Sequence, residues 1–247
     1  MFKMFVFDMD GTLTPSRWEM EPDMVLLFKE LLKKYKVWII SGWDYVQFQI
    51  QILQFLWDDE NLLKNLYICP TNWTKMYIYN DIDWQCLYSL DFTKSERKHI
   101  INVLENAIEK LWLKPEKTYW DLVEDRKTQI TYATLWQQAA RELKSAYDPD
   151  FSKRKKIVSY IKPDLEWFDI FVAWNTSIDI TREWVDKAYW IEKLMEKTWL
   201  NKNEIIFIWD RIFSDWNDYP PLNKLWITTK KVFSLEDTKD FIREMVK

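Results

Sequence analysis

Glycine is nearly missing from this chain: there are 2 in 247 residues, where ordinary usage of about 7% would give roughly 17. Histidine occurs once, at His99, and cysteine twice, at Cys69 and Cys86. Neither their number nor their spacing suits a zinc site. Two cysteines are also too few for a disulfide framework, which fits a reducing, cytoplasmic setting. Basic residues are not in excess. The net charge is −4, so electrostatic capture of nucleic acid is not expected. The one basic run, Lys153-Arg154-Lys155-Lys156, follows Asp148 and Asp150 and reads as a solvated helix face. No apolar run approaches the ~18 residues of a membrane span. The first apolar stretch carries Asp8, which argues against a signal peptide.

What the chain does have is Phe5-Val6-Phe7-Asp8-Met9-Asp10-Gly11-Thr12-Leu13-Thr14. The apolar run reads as a short buried strand. Its end delivers two carboxylates to one loop, where binding sites of open α/β sheets lie. Two like charges so close are tolerable if a cation sits between them or if one is protonated. Both conditions suit phosphoryl transfer, with one Asp as nucleophile, one as acid/base and Mg²⁺ as clamp. The plain alternative is a strand followed by an Asp-Gly turn.

The stretch resembles motif I of the haloacid dehalogenase superfamily, a hydrophobic strand followed by DxDGT. Later segments match the other motifs in order. Val37-Trp38-Ile39-Ile40-Ser41-Gly42 fits a strand ending in the phosphate-holding hydroxyl. Asp186-Lys187-Ala188 fits a lysine opening a helix. Ile205–Trp209 with Asp210, and then Asn217-Asp218, fits the last, acidic motif. Thr12–Arg17 extends motif I much as in eukaryotic-type phosphomannomutases. Gln129–Tyr132 and Asn175–Ile180 look like cap segments of that group. The chain is therefore similar to type IIB members, in which an α/β cap is inserted between motifs II and III. The fold this implies is α/β: a Rossmann-like core with a parallel sheet over 1–82 and 186–247, and an inserted α/β cap over 83–185.

The resemblance also implies roles. Asp8 attacks phosphorus and forms an aspartyl-phosphate, while Asp10 protonates the leaving oxygen and later deprotonates the acceptor. Mg²⁺, which prefers hard oxygen ligands, is held by Asp8, the backbone carbonyl of Asp10 and Asp210. Asp218 holds the metal's waters or Lys187. Lys187 screens the approach of two anions. Thr12, Ser41 and amides near Gly11 hold phosphate oxygens. In the cap, Ser177 and Asp179 fall on one face of a strand and contact the substrate's second phosphate and sugar hydroxyls. Arg126 and Arg17 match phosphate-binding arginines of cap and core. Where the mutases place further cap arginines, this chain has Gln137 and Lys144. Gln137 cannot form the charged fork that grips a phosphate.

The expected activity is thus a Mg²⁺-dependent phosphatase acting on a small phosphosugar. The alternatives are a phosphomannomutase interconverting mannose 1-phosphate and mannose 6-phosphate, and an inactive phosphosugar-binding protein. A receiver-type signalling module also phosphorylates an Asp after a strand, but has no place for a cap. No nucleic-acid or membrane partner is expected, and a homodimer through the cap is one arrangement the resemblance allows.

Tryptophan is the converse of glycine, with 17 residues. Many stand where turns and helix ends belong: Trp73 in Thr71-Asn72-Trp73-Thr74, and Trp112, Trp120 and Trp199 near helix ends. Trp209 and Trp216 stand beside acidic motif residues, where the family has Gly. Trp43, Trp136, Trp174, Trp184 and Trp190 behave alike. The left-handed conformation of a helix C′ position penalises a side chain. The codon UGA is read as Trp in some lineages and as Gly in others, so most of these positions are expected to be glycine in the living protein. Trp84, inside a strand pattern, is not among them.

Elsewhere, apolar periodicity predicts helices over Pro22–Lys34, Tyr45–Leu56, Ser95–Leu111, Gln137–Ala146, Ser152–Ile161 and Leu235–Val246. Strands are predicted at Leu66–Cys69, Lys75–Tyr79, Trp84–Ser89, Phe168–Val172, Ile205–Ile208 and Leu225–Thr228.

Overall fold

A computed structural model describes residues 2–113, 122–135, 147–172, 176–183, 195–196, 198–210 and 227–247. The chain divides into two compact units, Met1–Ser89 with Asp186–Lys247, and Leu90–Val185.

The first unit is built on strand β1 (Met4–Asp8), whose Met4, Phe5, Val6 and Phe7 are all fully buried. A strand apolar on both faces belongs inside a parallel sheet covered by helices. It lies between β2 (Lys36–Ile40) and β10 (Ile205–Trp209) in a seven-stranded sheet. The order is β11-β10-β1-β2-β3-β4-β5, where β3 is Leu66–Cys69, β4 Lys75–Tyr79, β5 Trp84–Ser89 and β11 Thr228–Lys231. The pairings from β11 through β3 are parallel, and β4 and β5 add an antiparallel hairpin. β11 takes the polar residues that follow the apolar Leu225–Thr228 run, as an edge strand facing solvent can.

Helix α1 (Pro22–Lys34) begins at a proline, as an N-terminal turn tolerates. Its Met24, Phe28, Leu31 and Leu32 join the core of β1 and β2. α2 (Tyr45–Gln51) is shorter than its sequence pattern. Ile52, at φ −132° and ψ −56°, breaks it, and the apolar run continues as a 3-10 turn over Leu53–Phe55. A single-turn helix, α3 (Glu60–Leu63), follows.

The second unit is a four-stranded antiparallel sheet of order β6-β7-β9-β8, with β6 at Val123–Asp125, β7 at Gln129–Ala133, β8 at Phe168–Val172 and β9 at Ser177–Arg182. Ile130, Tyr132, Ile178 and Ile180 share a core with α4 (Lys94–Lys110) and α5 (Ser152–Ile161). α4 starts at a reciprocal cap between Thr93 and Glu96, one residue earlier than its apolar periodicity indicates. The basic run that opens α5 is not wholly a solvated face. Lys155 and Lys156 are exposed, but Arg154 is fully buried and bonds Asp148 through Nε at 2.7 Å. The acidic pair before the run supplies the partner that makes this burial tolerable. α6 (Leu235–Val246) returns to the first unit, where Phe241 meets Phe5. Among the described residues no helix is long and apolar enough to cross a membrane. The helix predicted over Gln137–Ala146 lies outside the described residues.

Candidate active site

Register brings three strand ends together. Asp8 pairs with Ile40, so Ser41 stands one residue past the neighbouring strand. Phe7 pairs with Ile208, so Trp209 ends the other strand and Asp210 stands one residue past it. The C-terminal edge of a parallel sheet is where such folds bind ligands.

The loop after β1 is folded tightly on itself. The Met9 carbonyl accepts from the amides of Leu13 at 2.9 Å and Thr14 at 3.0 Å, and the Gly11 amide donates to the Thr14 carbonyl at 2.7 Å. Of the amides near Gly11 expected to hold phosphate, that of Gly11 itself is committed within the loop. Gly11 has φ +83°, and a Cβ there would collide with the Asp210 carboxylate, whose carbon lies 3.0 Å from that position. Glycine is required by conformation and by space at once, and Asp210 is thereby set against the loop that carries Asp8 and Asp10. The Thr12 hydroxyl is buried without a hydrogen-bond partner among the described residues. Buried hydroxyls are ordinarily paired, so this one is suited to an incoming oxygen.

Asp10 is held by four donors. Its Oδ2 accepts from the Trp43 indole at 2.9 Å and the Ser16 hydroxyl at 3.3 Å. Its Oδ1 accepts from the Gln51 amide and the Arg17 backbone N–H, each at 3.3 Å. Arg17 places its guanidinium 5.0 Å from the Trp43 ring centre. Ser41 is buried; its Oγ accepts from the Trp43 amide at 3.3 Å, which leaves its own proton to donate. Its carbonyl accepts from Asn72, and Thr71 donates to the Trp43 carbonyl at 2.8 Å, so the loop after β3 braces the loop after β2. Asp44 caps α2 and accepts from the nearly buried Lys75 at 2.9 Å. Burial pushes the Cys69 thiol well above its usual range, so it is not a reactive group here.

Of the expected metal ligands, Asp8, Asp10 and Asp210 lie on these adjoining strand ends. Among the described residues no three His, Cys, Asp or Glu side chains gather closely enough to hold an ion by themselves. The expected set draws on a backbone carbonyl and on Asp218. Asp218 and Lys187 lie outside the described residues, as do Gln137, Lys144 and Trp216.

In the second unit, Thr131 and Asp179 face each other across β7 and β9. The Gln129 amide donates to the Thr131 hydroxyl, which donates to Asp179 Oδ1, both at 2.8 Å. Ser177 begins β9 on the same face and is half-buried. Arg126 is buried and donates to Glu124 at 2.7 Å, so part of its charge is already answered.

Sequence reasoning did not mark Gln51 or Ser16 as Asp10 partners, and at position 43 it expected a glycine, which would bring no indole to Asp10. Gln51 carried a signal: it lies three residues after Phe48 and one before Ile52, a polar side chain on an apolar helical face.

A family model described as haloacid dehalogenase-like hydrolase matches residues 5–212. A phosphomannomutase of Spinacia oleracea is 26% identical over 240 residues, 94% of this chain and 91% of that protein. One of Nicotiana benthamiana is 26% identical over 242 residues, covering 94% and 90%. Among solved structures, an IMP-nucleotidase of Plasmodium falciparum aligns with TM-score 0.67 at 17% identity, over 99% of this chain and 68% of that one. A trehalose-6-phosphate phosphatase of Aspergillus fumigatus aligns with TM-score 0.55 at 14% identity, over 99% and 92%. These structural likenesses speak for the fold alone.

Proposed function

Because the chain belongs to the haloacid dehalogenase-like hydrolases, and so is a phosphotransferase, we propose that it hydrolyses a small phosphosugar through an aspartyl-phosphate on Asp8. The observation that carries this reading is the meeting of Asp8, Ser41 and Asp210 at one sheet edge, with the Thr12 hydroxyl buried and without a partner among the described residues. A carboxylate oxygen of Asp8 attacks phosphorus, and the bond from phosphorus to the sugar oxygen breaks. Asp10 gives that oxygen a proton, then takes one from the water that attacks the acyl phosphate. Inorganic phosphate leaves and Asp8 is restored. Ser41 and Thr12 donate to the phosphate oxygens.

The oxygen-only donors Asp8, the Asp10 carbonyl and Asp210 fit Mg²⁺ and would hold it, with Asp218 expected to hold the metal's waters or Lys187; the ion would supply charge neutralisation, and Lys187 is expected to add to it. In the cap, Asp179 is oriented by Thr131 to accept from sugar hydroxyls, and Ser177 and Arg126 contribute the remaining contacts. The reading includes a cytoplasmic location and a homodimer through the cap.

The second reading, a phosphomannomutase, is favoured by the names of the relatives. It requires the cap to hold a bisphosphate, and the commitment of Arg126 to Glu124 weighs against it. ³¹P NMR of mannose 1-phosphate and mannose 6-phosphate with Mg²⁺ and a sugar-bisphosphate primer separates the two. Growth of inorganic phosphate supports the hydrolase, and interconversion without phosphate release supports the mutase. Asp8→Asn is expected to abolish either activity while leaving the circular dichroism spectrum unchanged. Undiminished turnover by that variant would refute the mechanism.

A further inference from the structure

Left-handed backbone is where the tryptophan excess becomes physical. Among the described residues nine non-glycine positions have φ between +52° and +78°, and three of them are Trp73, Trp112 and Trp199. Tryptophan is 17 of 247 residues, so chance placement would give less than one. For a bulky side chain such a φ is an outlier, because Cβ crowds the following carbonyl.

Each position has the surroundings of a glycine. Trp112 follows the C-cap residue of α4, Leu111. The Leu113 amide donates to the Ile108 carbonyl and the Trp112 amide to the Glu109 carbonyl, each at 3.2 Å. That pair of bonds is the Schellman closure, whose left-handed C′ residue is usually glycine. Trp199, just before Leu200, lies in the same left-handed region at φ 57°. Neither ring repays the strain, since Trp112 is 92% exposed and Trp199 91%. Trp73 is the third of three successive left-handed residues, Thr71, Asn72 and Trp73, in the turn between β3 and β4. With glycine the turn reads Asn-Gly, the strongest short-range signal for reversing the chain between antiparallel strands. As tryptophan, the ring is fully buried and its indole N–H has no partner among the described residues.

We propose that positions 73, 112 and 199 are glycine in the living cell, specified by UGA codons that the source organism reads as glycine. The inference does not depend on the substrate or on the reaction. It concerns the site, however, because the Thr71–Trp73 turn holds Ser41 through the Asn72 amide.

Tandem mass spectrometry of the protein isolated from its source reads the three residues directly. Glycine is expected at all three, and tryptophan at any of them overturns the proposal. A recombinant test is independent of the source. In the full chain, Trp112→Gly and Trp199→Gly should each raise the melting temperature by about 2–4 °C. Trp84→Gly should lower it, because Trp84 lies in β5 and packs its ring on Tyr79. If the first two variants melt no higher than the parent, the backbone does not demand glycine there and the proposal fails.

Discussion

Four donors converge on one carboxylate, and three of them come from side chains that the sequence alone does not connect. Ser16, Trp43 and Gln51 lie on three separate segments, yet all bond Asp10. Gln51 is fully buried, and its side-chain oxygen Oε1 has no partner among the described residues. Its burial is therefore maintained for the contact with Asp10 rather than for its own satisfaction. A general acid works only if its oxygen is aimed at the leaving group. We expect Gln51→Leu, which keeps the volume and removes the donor, to lower kcat by roughly 10-fold with KM nearly unchanged. Steady-state kinetics on the preferred sugar phosphate checks this, and an unchanged kcat would show that the other three donors suffice. The placement of Asp8, Asp10, Ser41 and Asp210 at adjoining strand ends was legible, because each closely follows an apolar strand pattern and a parallel sheet aligns strand ends. Gln51 was not, because its partnership depends on where a helix and a loop cross in space, and the Trp43 contact was not, because glycine was expected at that position. The pairing of Arg126 with Glu124 was equally hidden, since alternate residues on a strand share a face but need not touch.

Lys239 of α6 reaches the start of α1, and Lys34 at the end of α1 donates to the Val246 carbonyl. Lys239 is nearly buried and donates to Glu21 at 2.7 Å, with Asp23 also at 2.7 Å. The bond from Lys239 holds the Asp23 carboxyl below its ordinary 3.8, and the bonds from Asp23 and Glu21 push Lys239 upward. The two shifts bound a pH window. The Asp23 contribution is complete above the unfolded carboxylate pKa and is lost as pH falls through the lower, folded value. The Lys239 contribution is complete below the unfolded lysine value near ~10.4 and is lost as pH rises through the higher, folded one. Lys239→Met should therefore lower the melting temperature by about 2–4 °C at neutral pH. The gap should close in strong acid and in strong alkali, and a melting series across pH reads it. A constant gap at every pH would mean that the lysine acts by packing alone. The helices themselves were readable from apolar spacing, α1 most clearly. The early end of α2 was not, because Ile52 continues the apolar pattern while its backbone leaves the helix.

Two units with separate apolar cores make up the molecule. The core of the second unit includes Ile130, Ile178 and Ile180, all fully buried. Ile180→Ala should cost about 2–5 kcal/mol. Hydrogen exchange should show the loss first across Leu90–Val185, with the strands around β1 still protected. Equal deprotection of both units would show that they unfold as one. The inserted unit was expected from family resemblance rather than from periodicity: Gln129–Ala133 alternates polar and apolar residues, yet all five are buried.

The place of β1 between β2 and β10 also sets a clock. Its first neighbour follows soon in the chain, but the second arrives only with Ile205–Trp209. At a synthesis rate of about 5–20 residues per second, the strand bearing Asp8 waits roughly 10–40 s with one edge unpaired. By then all of Leu90–Val185 has been made. The strand bearing Asp8 is thus translated long before it is completed, and an exposed apolar edge of that kind is a point at which a chaperone would act.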